Sequence, residues 1–191
     1  MAARVVIAED EAIIRLDLRE TLEEAGYEVV GEKGRGDEAV SLVKVHEPDL
    51  AILDIKMPGL DGLSAAREIT GERRAAVLIL TAFSQRDLVD RARDAGALAY
   101  LVKPFQRSEL VPAVEVAIGR FKEMRAMEAE IRGLEEELEV RRVVDRAKGI
   151  LTDDHGLSEA DAFAFIQGQA MVARATMRAT AKRVIDGQLS P

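Results

Sequence analysis

Five polar residues that could carry out chemistry stand at or just after the ends of apolar runs. They are Glu9, Asp10, Asp54, Thr81 and Lys103. Three carboxylates brought together repel one another and destabilise a fold unless a cation joins them. An all-oxygen set suits Mg²⁺, which binds through one or two carboxylates and keeps several waters for phosphate oxygens. With a lysine charge and a threonine hydroxyl nearby, an aspartate in this set is equipped to accept a phosphoryl group.

The elements that must position these residues are predicted from the alternation of apolar runs and helical patterns. Leu50–Leu53 is typical of a strand buried on both faces, and Asp54 ends it just before a Pro58-Gly59 break. The other predicted strands are Arg4–Ala8, Tyr27–Val30, Val77–Leu80 and Ala99–Val102. This pattern predicts a five-stranded parallel, doubly wound α/β sheet with helices on both faces. Because the carboxyl ends of parallel strands meet at one edge, the polar residues are expected to lie together.

Helix signals place the connections in this sheet and the part of the chain beyond it. Asp37 is predicted to cap the helix after the second strand, and Ser84 the helix after the fourth. Beyond Ser108 the pattern is wholly helical, with apolar residues stepping by three or four as in a coiled-coil seam. The seam includes Phe121, Met124, Met127, Ile131, Leu134 and Leu138.

We therefore predict three segments: a sheet domain over residues 1–119, a helical connector over 120–139 and a small all-α module of three helices over 140–191. Thr152–Gly156 is predicted to be a loop within the module, and Ser158 with Asp161 to form a capping box. Gly133 costs the connector about 1 kcal/mol relative to alanine.

Composition limits the function classes that remain open. The 191 residues contain no cysteine, which excludes disulfides, thiolate metal sites and a cysteine nucleophile and fits a cytoplasmic location. The N-terminus reaches acidic residues too soon for a signal peptide, and no apolar run approaches the ~18 residues of a membrane helix. The net charge of −8 speaks against non-specific nucleic-acid binding by the whole molecule. Residues 140–191 alone have a positive balance, with 8 Lys and Arg against 6 Asp and Glu.

Residues 1–119 resemble the receiver domain of two-component response regulators. Four segments carry the resemblance, in the family's order: Glu9-Asp10, Asp54 with Lys56-Met57-Pro58-Gly59-Leu60-Asp61-Gly62, Thr81-Ala82, and Lys103-Pro104-Phe105. The resemblance implies a flavodoxin-like fold and phosphorylation of Asp54 by a sensor histidine kinase. It implies Mg²⁺ held by Asp10, Asp54, the Lys56 backbone carbonyl and, through water, Glu9. Thr81 and Tyr100 would be a switch pair.

The C-terminal part, about residues 125–187, resembles the ANTAR domain. The segments that match are Arg142–Leu151, Gly156-Leu157-Ser158, Ala162-Phe163 and Ala170-Met171. The resemblance implies that this module binds RNA hairpins in nascent transcripts and prevents transcription termination. Seven basic residues are candidates for phosphate contacts: Arg142, Arg146, Lys148, Arg174, Arg178, Lys182 and Arg183.

The leading hypothesis is a regulator in which phosphorylation of Asp54 favours a homodimer able to bind RNA. In an alternative, the helical tail binds a protein partner, so that the chain is a phosphorylation-gated adaptor. DNA binding is disfavoured because no helix-turn-helix with a basic recognition helix is evident. A dedicated phosphatase is the least favoured, since it would want an acid two residues after the nucleophile, where Lys56 stands. Slow self-dephosphorylation is the enzymatic activity expected.

Overall fold

The computed structural model describes residues 2–82 and 86–191 of the chain. The chain divides into two compact units, Met1–Arg125 and Ala126–Pro191. The N-terminal unit is built on a parallel sheet, and the C-terminal unit is helical. Within the described residues, no helix is both long enough and apolar enough to cross a membrane.

Strands and helices alternate in the N-terminal unit. The strands are β1 (Arg4–Ala8), β2 (Glu28–Lys33), β3 (Leu50–Asp54), β4 (Ala76–Thr81) and β5 (Ala99–Val102). The helices are α1 (Ala12–Glu24), α2 (Gly36–His46), α3 (Gly62–Gly71), α4 (Arg86–Asp94) and α5 (Arg107–His155), of which α5 continues into the second unit. The strand order is β2-β1-β3-β4-β5, and every pair is parallel. The predicted five-stranded doubly wound fold is therefore confirmed.

The central strands bury both of their faces, as the uninterrupted apolar runs predicted. In β3, Ala51 and Leu53 pack into the cluster formed with α2, α3 and α4. Leu50 and Ile52 pack into the opposite cluster, formed with α1 and the start of α5. Successive side chains of a strand point to opposite faces, so each cluster takes every second residue. Polar groups are therefore placed at the strand ends, outside both clusters.

The two predicted helix caps have different outcomes. Asp37 does not cap α2, which begins at Gly36 with Arg35 as its N-cap residue. The prediction was wrong because α2 begins two residues earlier than a cap at Asp37 requires, which places Asp37 in its first turn. There the acid is favourable toward the helix dipole, and its Oδ1 lies 3.1 Å from Arg35 Nε. Ser84, the predicted cap of α4, lies outside the described residues.

The C-terminal unit comprises the end of α5 with α6 (Glu159–Ala173) and α7 (Met177–Ile185). The prediction of a loop at Thr152–Gly156 was wrong, because α5 continues to His155. Leu151 is fully buried in the core of this unit, and the Thr152 hydroxyl donates a hydrogen bond to the Lys148 carbonyl at 2.9 Å. The packing of Leu151 thus keeps the polar residues that follow it, 152–155, in the helix. The connector and the first helix of the predicted module are consequently one helix.

The start of α6 confirms the predicted pairing of Ser158 with Asp161. Ser158 is the N-cap residue, and its hydroxyl oxygen accepts a hydrogen bond from the Asp161 backbone N–H at 3.1 Å. The same hydroxyl donates to Asp161 Oδ2 at 2.6 Å. One otherwise unsatisfied donor of the first helical turn is satisfied in this way.

Candidate functional site

The polar residues predicted to share one edge of the sheet lie together there. Carboxylate oxygens of Glu9, Asp10 and Asp54 all lie within 4.8 Å of one another. Glu9 directly follows β1 and Asp54 ends β3, and these two strands are paired in the sheet. Thr81 ends β4 and is buried, and its carbonyl accepts a hydrogen bond from the Lys103 backbone N–H at 2.8 Å. The geometry therefore brings together all five residues that the sequence singled out.

The Lys103 side chain joins two of the three carboxylates. Its Nζ lies 2.5 Å from Glu9 Oε2 and 3.3 Å from Asp54 Oδ1, and its side chain is only 10% exposed. Glu9 is fully buried, and its Oε1 also accepts a hydrogen bond from the Glu11 backbone N–H at 3.2 Å. One ammonium group thus partly compensates two buried acids.

The pKa values of these groups reflect a competition between burial and charge. Burial raises the pKa of Glu9, and the hydrogen bond from Lys103 only partly offsets this. Burial also raises the pKa of Asp54, again against the opposing effect of Lys103. Burial alone would lower the pKa of Lys103, but its bonds to Glu9 and Asp54 raise it overall. Both carboxylates are therefore short of positive charge, which a divalent cation would supply.

The donor set fits Mg²⁺. Glu9, Asp10 and Asp54 offer three carboxylate oxygens within reach of one ion, and Asp10 is exposed, which leaves room for coordinated water. Asp10 also lines an open groove of about 500 Å³ whose other lining residues are Ile55, Lys56, Met57, Asp61 and Arg91. The groove gives solvent access to the Asp10 side of the carboxylate cluster. The ligand role of the Lys56 backbone carbonyl remains a prediction.

The Asp54 carboxylate is held in a defined orientation. Its Oδ1 accepts a hydrogen bond from the Ile55 backbone N–H at 2.9 Å and is also the oxygen that faces Lys103. Both of these donors are therefore directed at Oδ1 and not at Oδ2 of the carboxylate.

The predicted switch residues occupy adjacent strands and differ in exposure. Thr81, on β4, is 3% exposed, whereas Tyr100, on β5, is 46% exposed. The strands are paired so that Tyr100 stands opposite Ile79, two residues before Thr81. Thr81 is thus buried beside the site and Tyr100 is partly exposed on the neighbouring strand, and their coupling remains a prediction.

Two features of the site escaped the sequence reasoning. Arg15, on α1, donates a hydrogen bond from Nη1 to the Glu9 carbonyl at 2.5 Å and so holds the chain where it leaves β1. A basic residue one helical turn beyond the acidic segment was the available signal. Asp61 caps α3 by accepting from the Leu63 and Ser64 backbone N–H groups, both at 3.0 Å. The Ser64 hydroxyl donates to Asp61 Oδ2 and is the main reason that the pKa of Asp61 is lowered.

The seven candidate RNA-contacting residues do not all line the same groove. Arg142, Arg146 and Lys182 line one groove of the C-terminal unit. Lys148 lines a different groove and is paired with two carboxylates. Arg178 Nη2 lies 4.0 Å from Glu139 Oε1. Arg174, the C-cap residue of α6, and Arg183, on α7, are exposed.

Comparison with known proteins gives two domain matches in this chain. Residues 5–115 match the response regulator receiver domain, and residues 132–185 match the ANTAR domain. The chain is 58% identical to the transcriptional regulatory protein PdtaR of Mycobacterium tuberculosis over 183 residues, which cover 96% of this chain and 89% of that protein.

Solved structures show the same likeness for the N-terminal unit. The signal receiver domain of the putative response regulator NarL from Mycobacterium tuberculosis aligns with a TM-score of 0.60 and 33% identity, over 62% of this chain and 97% of that one. A chain of the CheX–CheY–BeF₃–Mg²⁺ complex from Borrelia burgdorferi aligns with a TM-score of 0.56 and 27% identity, over 59% of this chain and 86% of that one.

Proposed function

Because the chain belongs to the response regulators, with a receiver domain followed by an ANTAR domain, we propose that Asp54 accepts a phosphoryl group from a sensor histidine kinase. The observation that carries this proposal is the ion pair between Asp54 and Lys103, which lies beside Glu9 and Asp10 at one edge of the sheet. The structural relative solved with BeF₃ and Mg²⁺ supports it, since BeF₃ imitates a phosphoryl group and Mg²⁺ suits the same donor set.

The proposed transfer proceeds by attack of Asp54 Oδ2 on the phosphorus of the kinase phosphohistidine. The new bond joins Oδ2 to phosphorus, and the bond between phosphorus and the imidazole nitrogen breaks. The electron pair of the broken bond stays on that nitrogen, which then takes a proton from solvent. Lys103 stabilises the negative charge that gathers on the phosphoryl oxygens, and the Thr81 hydroxyl donates a hydrogen bond to one of them. Glu9, Asp10, Asp54 and the Lys56 carbonyl would hold Mg²⁺, which neutralises phosphoryl charge when bound.

We further propose that the C-terminal unit binds RNA hairpins in nascent transcripts and so prevents transcription termination. The ANTAR match and the 58% identity to a transcriptional regulatory protein support this output. In this proposal the chain is a phosphoacceptor with slow self-dephosphorylation and not a dedicated enzyme.

Phosphorylation would favour a homodimer, for which α5 offers a surface. Its residues Met127, Ile131, Leu134 and Leu138 recur at steps of four, three and four and are 55–62% exposed. Side chains at this spacing line one face of a helix and pair with a second helix in a coiled coil. An apolar groove of about 670 Å³, lined in part by Val140, Phe163 and Met177, gives the adaptor hypothesis its own support.

Selection from a transcribed RNA pool tests whether phosphorylation of Asp54 controls RNA binding. The chain is used unmodified and after phosphorylation by acetyl phosphate with Mg²⁺, and Asp54→Asn serves as the control that cannot be phosphorylated. Enrichment of hairpins by the phosphorylated chain alone supports the gated RNA-binding function. Phosphorylation without retained RNA would instead favour a protein partner for the C-terminal unit.

A further inference from the structure

Five cations of the C-terminal unit line two different grooves. Arg141 and Arg142 are neighbours in α5, yet they line different grooves. The groove of Arg141 is the groove of about 670 Å³ already described, which Phe163 and Met177 line on its apolar part. Its charged residues are Arg141, Lys148 and three carboxylates, from Glu136, Glu137 and Asp145, and we name it the acidic groove. The groove of Arg142 is named the basic groove. It contains Arg146 and Lys182 as further cations and two carboxylates, from Glu139 and Asp186.

Cations in the acidic groove are already paired. Lys148 Nζ lies 2.9 Å from Asp145 Oδ1 and 2.7 Å from Glu159 Oε1, so it links α5 to α6. Arg141 Nε lies 3.9 Å from Asp145 Oδ2. With carboxylates in excess, this groove repels a phosphate backbone. Lys148 is therefore already engaged in holding α5 to α6.

Cations in the basic groove are exposed and outnumber its carboxylates by three to two. Among the ion pairs of the described residues, none involves Arg142, Arg146 or Lys182. Arg142 and Arg146 are one helical turn apart on α5, which aligns them on one face, and Lys182 comes from α7. The Glu139 carboxylate, which lines the same groove, also has Arg178 as an ion-pair partner at 4.0 Å, so it compensates the three cations less. Three free cations thus converge from two helices on a groove of about 440 Å³.

We propose that the basic groove binds the sugar-phosphate backbone of RNA, an assignment that rests on the proposed RNA-binding function. Guanidinium groups donate two parallel hydrogen bonds to a phosphate, and an ammonium group adds a point charge. Glu139 and Asp186 line the same groove and can accept hydrogen bonds from ribose 2′-hydroxyls, which DNA lacks. This assigns Arg142, Arg146 and Lys182 to RNA, with Arg141 and Lys148 outside the interface.

The two adjacent arginines provide a matched test. The probe is the hairpin most enriched in the pool selection, bound to the full phosphorylated chain over a series of salt concentrations. Arg142→Gln, Arg146→Gln and Lys182→Gln are each expected to weaken binding by about tenfold and to reduce the salt slope by about 0.7 to 1. Arg141→Gln is expected to change the dissociation constant less than about twofold, because its groove does not contact phosphate. Lys148→Gln should lower the melting temperature and leave the salt slope unchanged.

The possible outcomes separate this proposal from the function on which it rests. If the unaltered chain binds the hairpin but Arg141→Gln loses as much affinity as Arg142→Gln, the groove assignment is wrong and the RNA-binding function stands. Equal binding of a DNA hairpin of the same sequence would also overturn the assignment. Failure of the phosphorylated, unaltered chain to bind any RNA would overturn the proposed function and the groove assignment with it.

Discussion

Gly62 lies so close to Asp54 that a side chain does not fit between them. A Cβ atom placed on Gly62 would be 1.9 Å from the Asp54 carbonyl oxygen, well inside any van der Waals contact. The Gly62 backbone N–H donates a hydrogen bond to the Ile55 carbonyl at 3.0 Å, which closes the loop from β3 to α3. The first residue of α3 therefore lies directly against the end of β3 that carries Asp54, the proposed phosphoacceptor.

Gly62→Ala should consequently damage both stability and phosphorylation. We expect a loss of about 1–3 kcal/mol in the free energy of unfolding, because the methyl group must displace main-chain atoms. The displaced Asp54 should also take up phosphate from acetyl phosphate more slowly. Gly71→Ala is the control, since Gly71 ends the same helix and a Cβ there meets nothing within 4 Å. Urea unfolding and intact-mass spectrometry make the comparison, and equal behaviour of the two variants would contradict it.

Asp54→Asn should abolish phosphorylation and preserve the fold. The amide is nearly isosteric with the carboxylate, but it is not a nucleophile toward phosphorus and it does not carry the charge that Mg²⁺ requires. Incubation with acetyl phosphate and Mg²⁺ should add one phosphoryl group to the unaltered chain and to the exposed control Asp153→Asn, but none to this variant. Removal of Mg²⁺ by EDTA should also stop the reaction in the unaltered chain. A phosphorylated Asp54→Asn protein would show that another residue is the acceptor.

Glu9→Gln should change how stability depends on pH. The pKa of Glu9 is raised above its ordinary value of 4.5, mainly by burial, so folding favours the protonated form. That contribution to stability is fully present below the unfolded-state pKa and is lost as the pH rises through the folded-state pKa. Glutamine resembles protonated glutamate and does not titrate. Without Mg²⁺ at pH 7, the variant should therefore be more stable by about 1.4 kcal/mol for each unit by which the pKa is raised.

The control for this effect is Glu20→Gln, because Glu20 is exposed on α1. Urea unfolding at several pH values between about 4 and 7 should show that the stability difference for Glu9→Gln shrinks as the pH falls. A difference that stays constant over this range would mean that the Glu9 carboxyl is not the titrating group.

The strand ends were predictable from sequence because burial on both faces imposes an unbroken apolar run. Asp54, Thr81 and Lys103 interrupt such runs, and parallel pairing leaves them one edge to share. The sequence also indicated which donor atoms would meet. It did not reveal that Lys103 contacts both Glu9 and Asp54, because the reach of a flexible side chain depends on neighbours distant in the chain.

The loop that was wrongly predicted and the features that were missed all depend on contacts that the sequence does not show. Thr152 and the acids after it favour loops locally, but packing of Leu151 in the core keeps them helical. Arg15 was overlooked because its partner is a backbone carbonyl, that of Glu9, and backbone acceptors leave no mark in the sequence. The distinction between Arg141 and Arg142 likewise needs the packed helices, since the two residues are chemically identical and adjacent.

Leu134→Gln should prevent the proposed homodimer without unfolding the chain. Leu134 is 56% exposed, so its replacement leaves no cavity, but it removes the centre of the apolar row formed with Ile131 and Leu138. Sedimentation of the phosphorylated chain should show a dimer that this variant fails to form. Met171→Gln is the control, because Met171 is 73% exposed and belongs to a different helix, α6. A monomeric unaltered chain, or a dimer that survives Leu134→Gln, would contradict this interface.

The charges beside the apolar row predict how that dimer responds to salt. Glu130 and Glu135 flank it at positions that face each other in a parallel coiled coil, so two chains would bring like charges together. Added salt screens this repulsion, and the dimer should become tighter between about 50 and 300 mM NaCl. RNA bound to Arg142, Arg146 and Lys182 should weaken over the same range, because counterion release drives that contact. Opposite salt dependences, measured by sedimentation and by hairpin binding, would therefore separate dimer formation from phosphate binding in the same protein.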